Sequence, residues 1–135
     1  MHLAQFGDKT YSVDMMFAYI NIFKPKSVKL NLNEVDYNLD NLSWNGVSPN
    51  EVLDKPDLYP EDYNKIIKAD LRYPIILDKD HSIFDGVHRY VKAVLLNKPY
   101  VRAYVFDDDL LDKFVINEQN QMHQFIELFW NNFSN

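Results

Sequence analysis

Five consecutive residues, Asp85-Gly86-Val87-His88-Arg89, set a carboxylate, an imidazole and a guanidinium around a glycine. The chain has only three glycines. Glycine adopts backbone angles closed to other residues and lets a ligand approach the main chain. After it, Val87, Val91, Val94 and Leu95 recur at helical spacing. His88 and Arg89 therefore fall in the first turn of a helix, where backbone N–H groups lack partners and the positive end of the helix dipole emerges. Such an end attracts anions. An Arg fork matches two oxygens of a phosphate or carboxylate, and a His adds a donor that titrates near neutral pH. Phosphate binding by Gly86, Val87, His88 and Arg89 stands against a plainer alternative, in which Arg89 pairs with a nearby acid and His88 lies on the surface.

The elements that must position these residues can be read on either side. Residues 73–77 are apolar and Ile-rich, as in a buried strand. Residues 78–81 are polar and turn-like, and 82–84 form a second strand hairpinned to the first. Asn97 is placed to cap the helix that starts at 87, and Pro99 stops it. Val101, Ala103 and Val105 then alternate with Arg102, Tyr104 and Phe106, a strand pattern.

Upstream, residues 1–10 carry little periodicity. A helix over about 12–24 starts at Ser12, buries Val13, Met16, Phe17 and Ile20, and ends at Pro25. Residues 27–35 alternate as a half-buried strand, with Glu34 and Asp36 at its end. A polar stretch, 37–46, holds Trp44 and reads as a lid or an ordered surface loop. Ser48-Pro49-Asn50-Glu51 is a capping box with Pro at the first helical position. Pro60-Glu61-Asp62 opens another helix, with Tyr63, Ile66 and Ile67 inward and Lys65 and Lys68 one turn apart. Arg72 precedes the next strand. Asp107-Asp108-Asp109 reads as a helix start or, through one or two carboxylates, a Mg²⁺ site; Leu110, Leu111, Phe114 and Val115 follow as a short amphipathic helix. In the tail, Met122, Phe125, Ile126, Phe129 and Phe133 make one helical stripe over about 117–133, suited to packing on the N-terminal helix or on a second subunit.

The sequence FDGVHRY resembles the phosphate loop of sulfiredoxins, which carry a Gly-Cys-His-Arg core between strand and helix. Residues 86–93 are also similar to the Gly-x-x-Arg box of ParB N-terminal domains. The Asp-Gly-x-His-Arg form most resembles the ParB-like free serine kinases. The resemblance spans about 27–114 and implies a small mixed sheet flanked by helices, an α/β (α+β) fold, with the N- and C-terminal helices packed on that core in a single domain over 1–135. It implies a nucleotide such as ATP, ADP or CTP, bound with Mg²⁺, and phosphoryl transfer to a small-molecule or protein acceptor, or nucleotide hydrolysis. In that setting Asp85 orients a metal, a water or the substrate hydroxyl, and His88 assists. Glu34 or Asp36 can accept a proton, and Lys65, Lys68 or Arg72 can reach a phosphate. Position 87, the cysteine of sulfiredoxins, is Val, and the chain has no cysteine. Thiol-based repair chemistry is thereby excluded.

A length of 135 residues suits one domain with a real core. The net charge of −6 disfavours non-specific binding to duplex DNA. No apolar run reaches membrane-spanning length, and no basic region followed by an apolar one marks a signal peptide. The expectation is an intracellular, cytoplasmic protein without membrane contact, with homo-oligomerisation through the terminal helices as an option. The four histidines show no close ligand spacing, so no metal site is expected from them. Two rivals stand beside phosphoryl transfer. One is a non-catalytic module for a nucleotide, nucleic acid or protein. The other is a ParB-like nuclease using Asp85 and other acids on a metal.

Overall fold

The computed structural model describes residues 2–116. In chain order its elements are β1 (Leu3–Phe6), β2 (Lys9–Ser12), α1 (Val13–Phe23), β3 (Val28–Asn31), α2 (Pro49–Asp54), α3 (Pro60–Lys68), β4 (Ile75–Leu77), β5 (Ile83–Asp85), α4 (Val87–Leu95), β6 (Tyr100–Val105) and α5 (Asp108–Asp112). The chain is a mixed α+β protein with a two-stranded and a four-stranded sheet. It divides into two compact units, residues 27–105 and the flanking segments on either side. The C-terminal helix expected over about 117–133 lies outside the described residues.

In the unit formed by the flanking segments, β1 and β2 pair antiparallel from Leu3↔Ser12 to Phe6↔Lys9. This hairpin occupies the stretch that carried no periodicity. Its four-residue strands are too short for an alternation to stand out, and main-chain bonds hold it: Ser12 N–H donates to Phe114 O (2.8 Å) and Ile116 N–H to Thr10 O (2.8 Å). Ser12 caps α1 as expected, its Oγ accepting from Met15 N–H at 3.2 Å. Lys24, in the left-handed region, closes the helix just before Pro25. Val13, Met15 and Met16 are the buried side chains of α1, whereas Phe17 stays exposed. Asp107 caps α5 by accepting from Leu110 N–H at 2.8 Å, so the acidic run is a helix start.

In the unit 27–105 the strand order is β3-β6-β4-β5. β3 runs antiparallel to β6, β6 parallel to β4, and β4 antiparallel to β5. α4 is the crossover that makes the β4–β6 pair parallel. The strand expected over 27–35 stops at Asn31 because Leu32–Glu34 tighten into a 3₁₀ turn, which the Asn31 amide holds by donating to Glu34 Oε1 at 3.1 Å. Ser48 caps α2 through Glu51 N–H, and Pro49 and Pro60 occupy first-turn positions of α2 and α3.

Two apolar clusters fix α4. Tyr90 packs into the sheet core with Val35, Ile75, Leu77, Ile83, Val101 and Ala103. Val91 packs with Val52 of α2 and Ile66 of α3, all three fully buried. Leu95, expected on the inner face, is exposed, as is Ile67 of α3. Anchoring on both sides is what makes the first turn of α4 a rigid platform.

Candidate functional site

β5 ends at Asp85, Gly86 is the N-cap of α4, and the helix starts at Val87. Gly86 has φ +109°. A Cβ there would lie 2.5 Å from Ile75 Cγ2, 2.8 Å from Ile75 Cβ and 3.0 Å from the Arg89 guanidinium. Only glycine satisfies both the angle and the space. The same choice leaves α4 without a side-chain cap. The intrahelical ladder begins with Tyr90 N–H donating to Gly86 O (2.9 Å), so the amides ahead of it point outward with no partner inside the helix.

Arg89, in that first turn, donates from one terminal nitrogen to Asp85 Oδ2 at 2.7 Å and, at 3.4 Å, to Pro74 O. Asp85 is buried, with a 9% exposed side chain, against 23% for Arg89. Arg89 Nε is buried with no hydrogen-bond partner. The guanidinium is thus aimed by a carboxylate one turn earlier. This is the acid pairing weighed against phosphate binding, and its i,i+4 spacing made it visible in advance.

His88 is held from two other elements. Its Nε2 meets Asp62 Oδ1 of α3 at 3.1 Å. Trp44 stacks on the imidazole, with ring centroids 4.3 Å apart and planes within 9°. Trp44 is delivered by a tight hairpin: it exchanges main-chain bonds of 3.1 and 3.2 Å with Val47, and Asn45 and Gly46 both have positive φ. Asn-Gly with positive φ at both central positions marks a type I′ turn. The stretch read as a lid or surface loop therefore places its one tryptophan against a candidate functional residue. Burial pushes the His88 pKa down; Asp62 opposes this, and the Lys65 and Arg89 charges add to it.

The remaining candidates are spread wider. Lys65 lies close enough to act on His88 and pairs with Glu61 at 3.6 Å on an exposed face. Lys68 and Arg72 sit elsewhere. With Lys92 and Lys98 they line an open depression of about 460 Å³ at the far end of α4, and a nine-residue helix is about 13 Å long. There Arg72 is paired with Asp70 at 2.7 Å, and that hydrogen bond pulls the Asp70 pKa down to about 2. Lys92 donates to Ile67 O and Ala69 O, both at 2.7 Å, satisfying carbonyls at the end of α3. Glu34 and Asp36 are placed by His81, whose Nδ1 meets Glu34 O at 2.8 Å and whose carbonyl accepts from Asp36 N–H at 3.0 Å.

Among the described residues, no group of three or more His, Asp or Glu could hold a metal ion. Asp85, at the end of β5, is paired with Arg89, and Asp62, on α3, with His88. No helix among the described residues is long and apolar enough to cross a membrane. Sequence reading missed two contributors. Asp62 was read only as a helix-start acid, because its partner lies 26 residues away. The Pro74 carbonyl carries no sequence signal. No protein-family model, curated protein or solved structure matches the chain.

Proposed function

We propose that this chain binds the phosphates of a nucleotide at Gly86, Val87, His88 and Arg89, and acts as a ParB-like phosphotransferase or nucleotide hydrolase. The observation that carries the reading is Gly86. Its missing side chain is demanded by Ile75, and it leaves the first turn of α4 uncapped beside a guanidinium already oriented by Asp85 and Pro74 O. Phosphoryl transfer asks a protein mainly for positioning and charge neutralisation. An entering phosphate competes with Asp85 for Arg89, and the Asp85 carboxylate beside it orients a water or substrate hydroxyl. Mg²⁺ enters this reading with the nucleotide. Lys65 is the further basic side chain assigned to the site. Lys68 and Arg72 are left out because they line the depression at the other end of α4.

A second reading, a nucleotide-binding module without catalysis, is favoured by one fact: Arg89 already has a buried counter-charge. Thermal shift with a panel of ATP, ADP and CTP tests binding, since a ligand at 100 times its Kd adds about 2.7 kcal/mol. Arg89→Ala should abolish the shift, a charge-assisted contact being worth about 1.5–3 kcal/mol. An unchanged shift in that variant would refute the site. Phosphate release from the bound nucleotide separates the two readings.

A further inference from the structure

We infer that His88 is the proton acceptor of this site, and that Asp62 is a positioning residue holding its imidazole with the proton on Nε2 and the lone pair on Nδ1. The inference takes its substrate, a hydroxyl or water beside a nucleotide phosphate, from the reading above. The state of the imidazole stands without it.

An ionised carboxylate only accepts hydrogen bonds. The ring nitrogen 3.1 Å from Asp62 Oδ1 therefore carries a proton. In a neutral imidazole this leaves Nδ1 as the acceptor. Trp44, stacked parallel at 4.3 Å, restricts the ring plane, and the type I′ turn behind it restricts Trp44. The charged groups acting on the ring are Asp62 and Lys65 from α3 and Arg89 from its own helix. Burial and the two cations favour the neutral ring, while Asp62 stabilises the imidazolium once it forms. With Nε2 on Asp62 and Nδ1 kept for the proton, what His88 gives the phosphates is its main-chain N–H in the first turn of α4. In the reaction, the hydroxyl proton passes to Nδ1 and the oxygen's electron pair forms the new bond to phosphorus. The bond from phosphorus to the bridging oxygen of the remaining nucleotide breaks with its pair, and the imidazolium returns its proton to solvent.

The simpler role, a tie between α3 and α4, predicts different results. Long-range ¹⁵N–¹H correlation on the full chain reads the His88 tautomer directly. The Nε2–H form is expected in the wild type and a mixture in Asp62→Ala, with Asp62→Glu restoring the wild-type state. Phosphate release should fall about 10²-fold in His88→Gln, with loss of the acidic limb of the rate profile, because general bases contribute on that scale. Asp62→Ala should lower kcat with KM and the nucleotide thermal shift unchanged. An Nδ1–H tautomer in the wild type overturns the inference, as does a wild-type rate in His88→Gln. A wild type that binds nucleotide but releases no phosphate overturns the acceptor role. A chain that binds no nucleotide refutes the phosphate reading instead, and the tautomer arm still decides what Asp62 does.

Discussion

Gly86→Ala tests the geometry of the loop most directly. The added carbon would lie 2.5 and 2.8 Å from two carbons of Ile75, about an ångström inside ordinary contact. Ile75 is fully buried in the sheet core, and the two atoms are at the root of its side chain, so rotation cannot withdraw both. Overpacking of this kind costs about 1–3 kcal/mol. Holding alanine at φ +109° adds about 1–2 kcal/mol. The sum, about 2–5 kcal/mol, is a large fraction of the 5–15 kcal/mol typical of a domain. Gly46→Ala is the internal control. Its φ is also positive, at +84°, but a Cβ there meets nothing within 4 Å. That variant should lose only the conformational part, about 1–2 kcal/mol. Urea unfolding followed by circular dichroism gives both values. Equal destabilisation by the two changes would refute the argument that Ile75 shapes this loop. Loss of the nucleotide thermal shift in folded Gly86→Ala, below its own transition, is the functional counterpart.

Other outcomes follow from the same site. Asp85→Asn removes the charge facing Arg89 while keeping size, so nucleotide should still raise the melting temperature while phosphate release falls at least ~10²-fold; surviving turnover would remove Asp85 from the chemistry. Because His88 has a lowered pKa in the folded state, the unfolded chain binds more protons below its ordinary value of 6.5. Its contribution is therefore complete above that pH and is lost as pH falls toward the folded value, and melting temperatures from pH 8 to 5 should fall less steeply in His88→Gln than in the wild type. With a net charge of −6, the protein should not shift random duplex DNA in a gel at physiological salt; submicromolar affinity with a steep salt dependence would contradict this.

What could be read in advance, and what could not, divides by range. Ser12, Ser48, Pro49 and Pro60 announce helix starts because capping is a matter of three or four residues, and all four stand where expected. The strand–glycine–helix order around Gly86 was legible for the same reason, and so was the i,i+4 opportunity between Asp85 and Arg89. The stacking of Trp44 on His88 joins positions 44 residues apart in a chain with twenty aromatic residues, so type alone could not select the partner. Lys65 and Lys68 look equivalent in sequence, yet the structure puts one near His88 and the other in the depression beyond α4. The early end of β3 depended on whether Asn31 would bond to Glu34, a local choice that alternation does not encode.

The register of β3 on β6 bears on the order in which this chain can fold. Val28 lies opposite Ala103, so the segment 27–105 enters and leaves by adjacent strands. The main-chain bonds between Ser12 and Phe114 and between Thr10 and Ile116 close loops of about a hundred residues if made first. Once β3 and β6 are paired, the same bonds close a path of only about two dozen residues. Loop-closure entropy scaling as (3/2)RT ln n then eases that step by about 1 kcal/mol. Loop-closure entropy thus favours forming the continuous segment first, and mutations that loosen β3 against β6 should slow the pairing of residues 10–12 with 114–116.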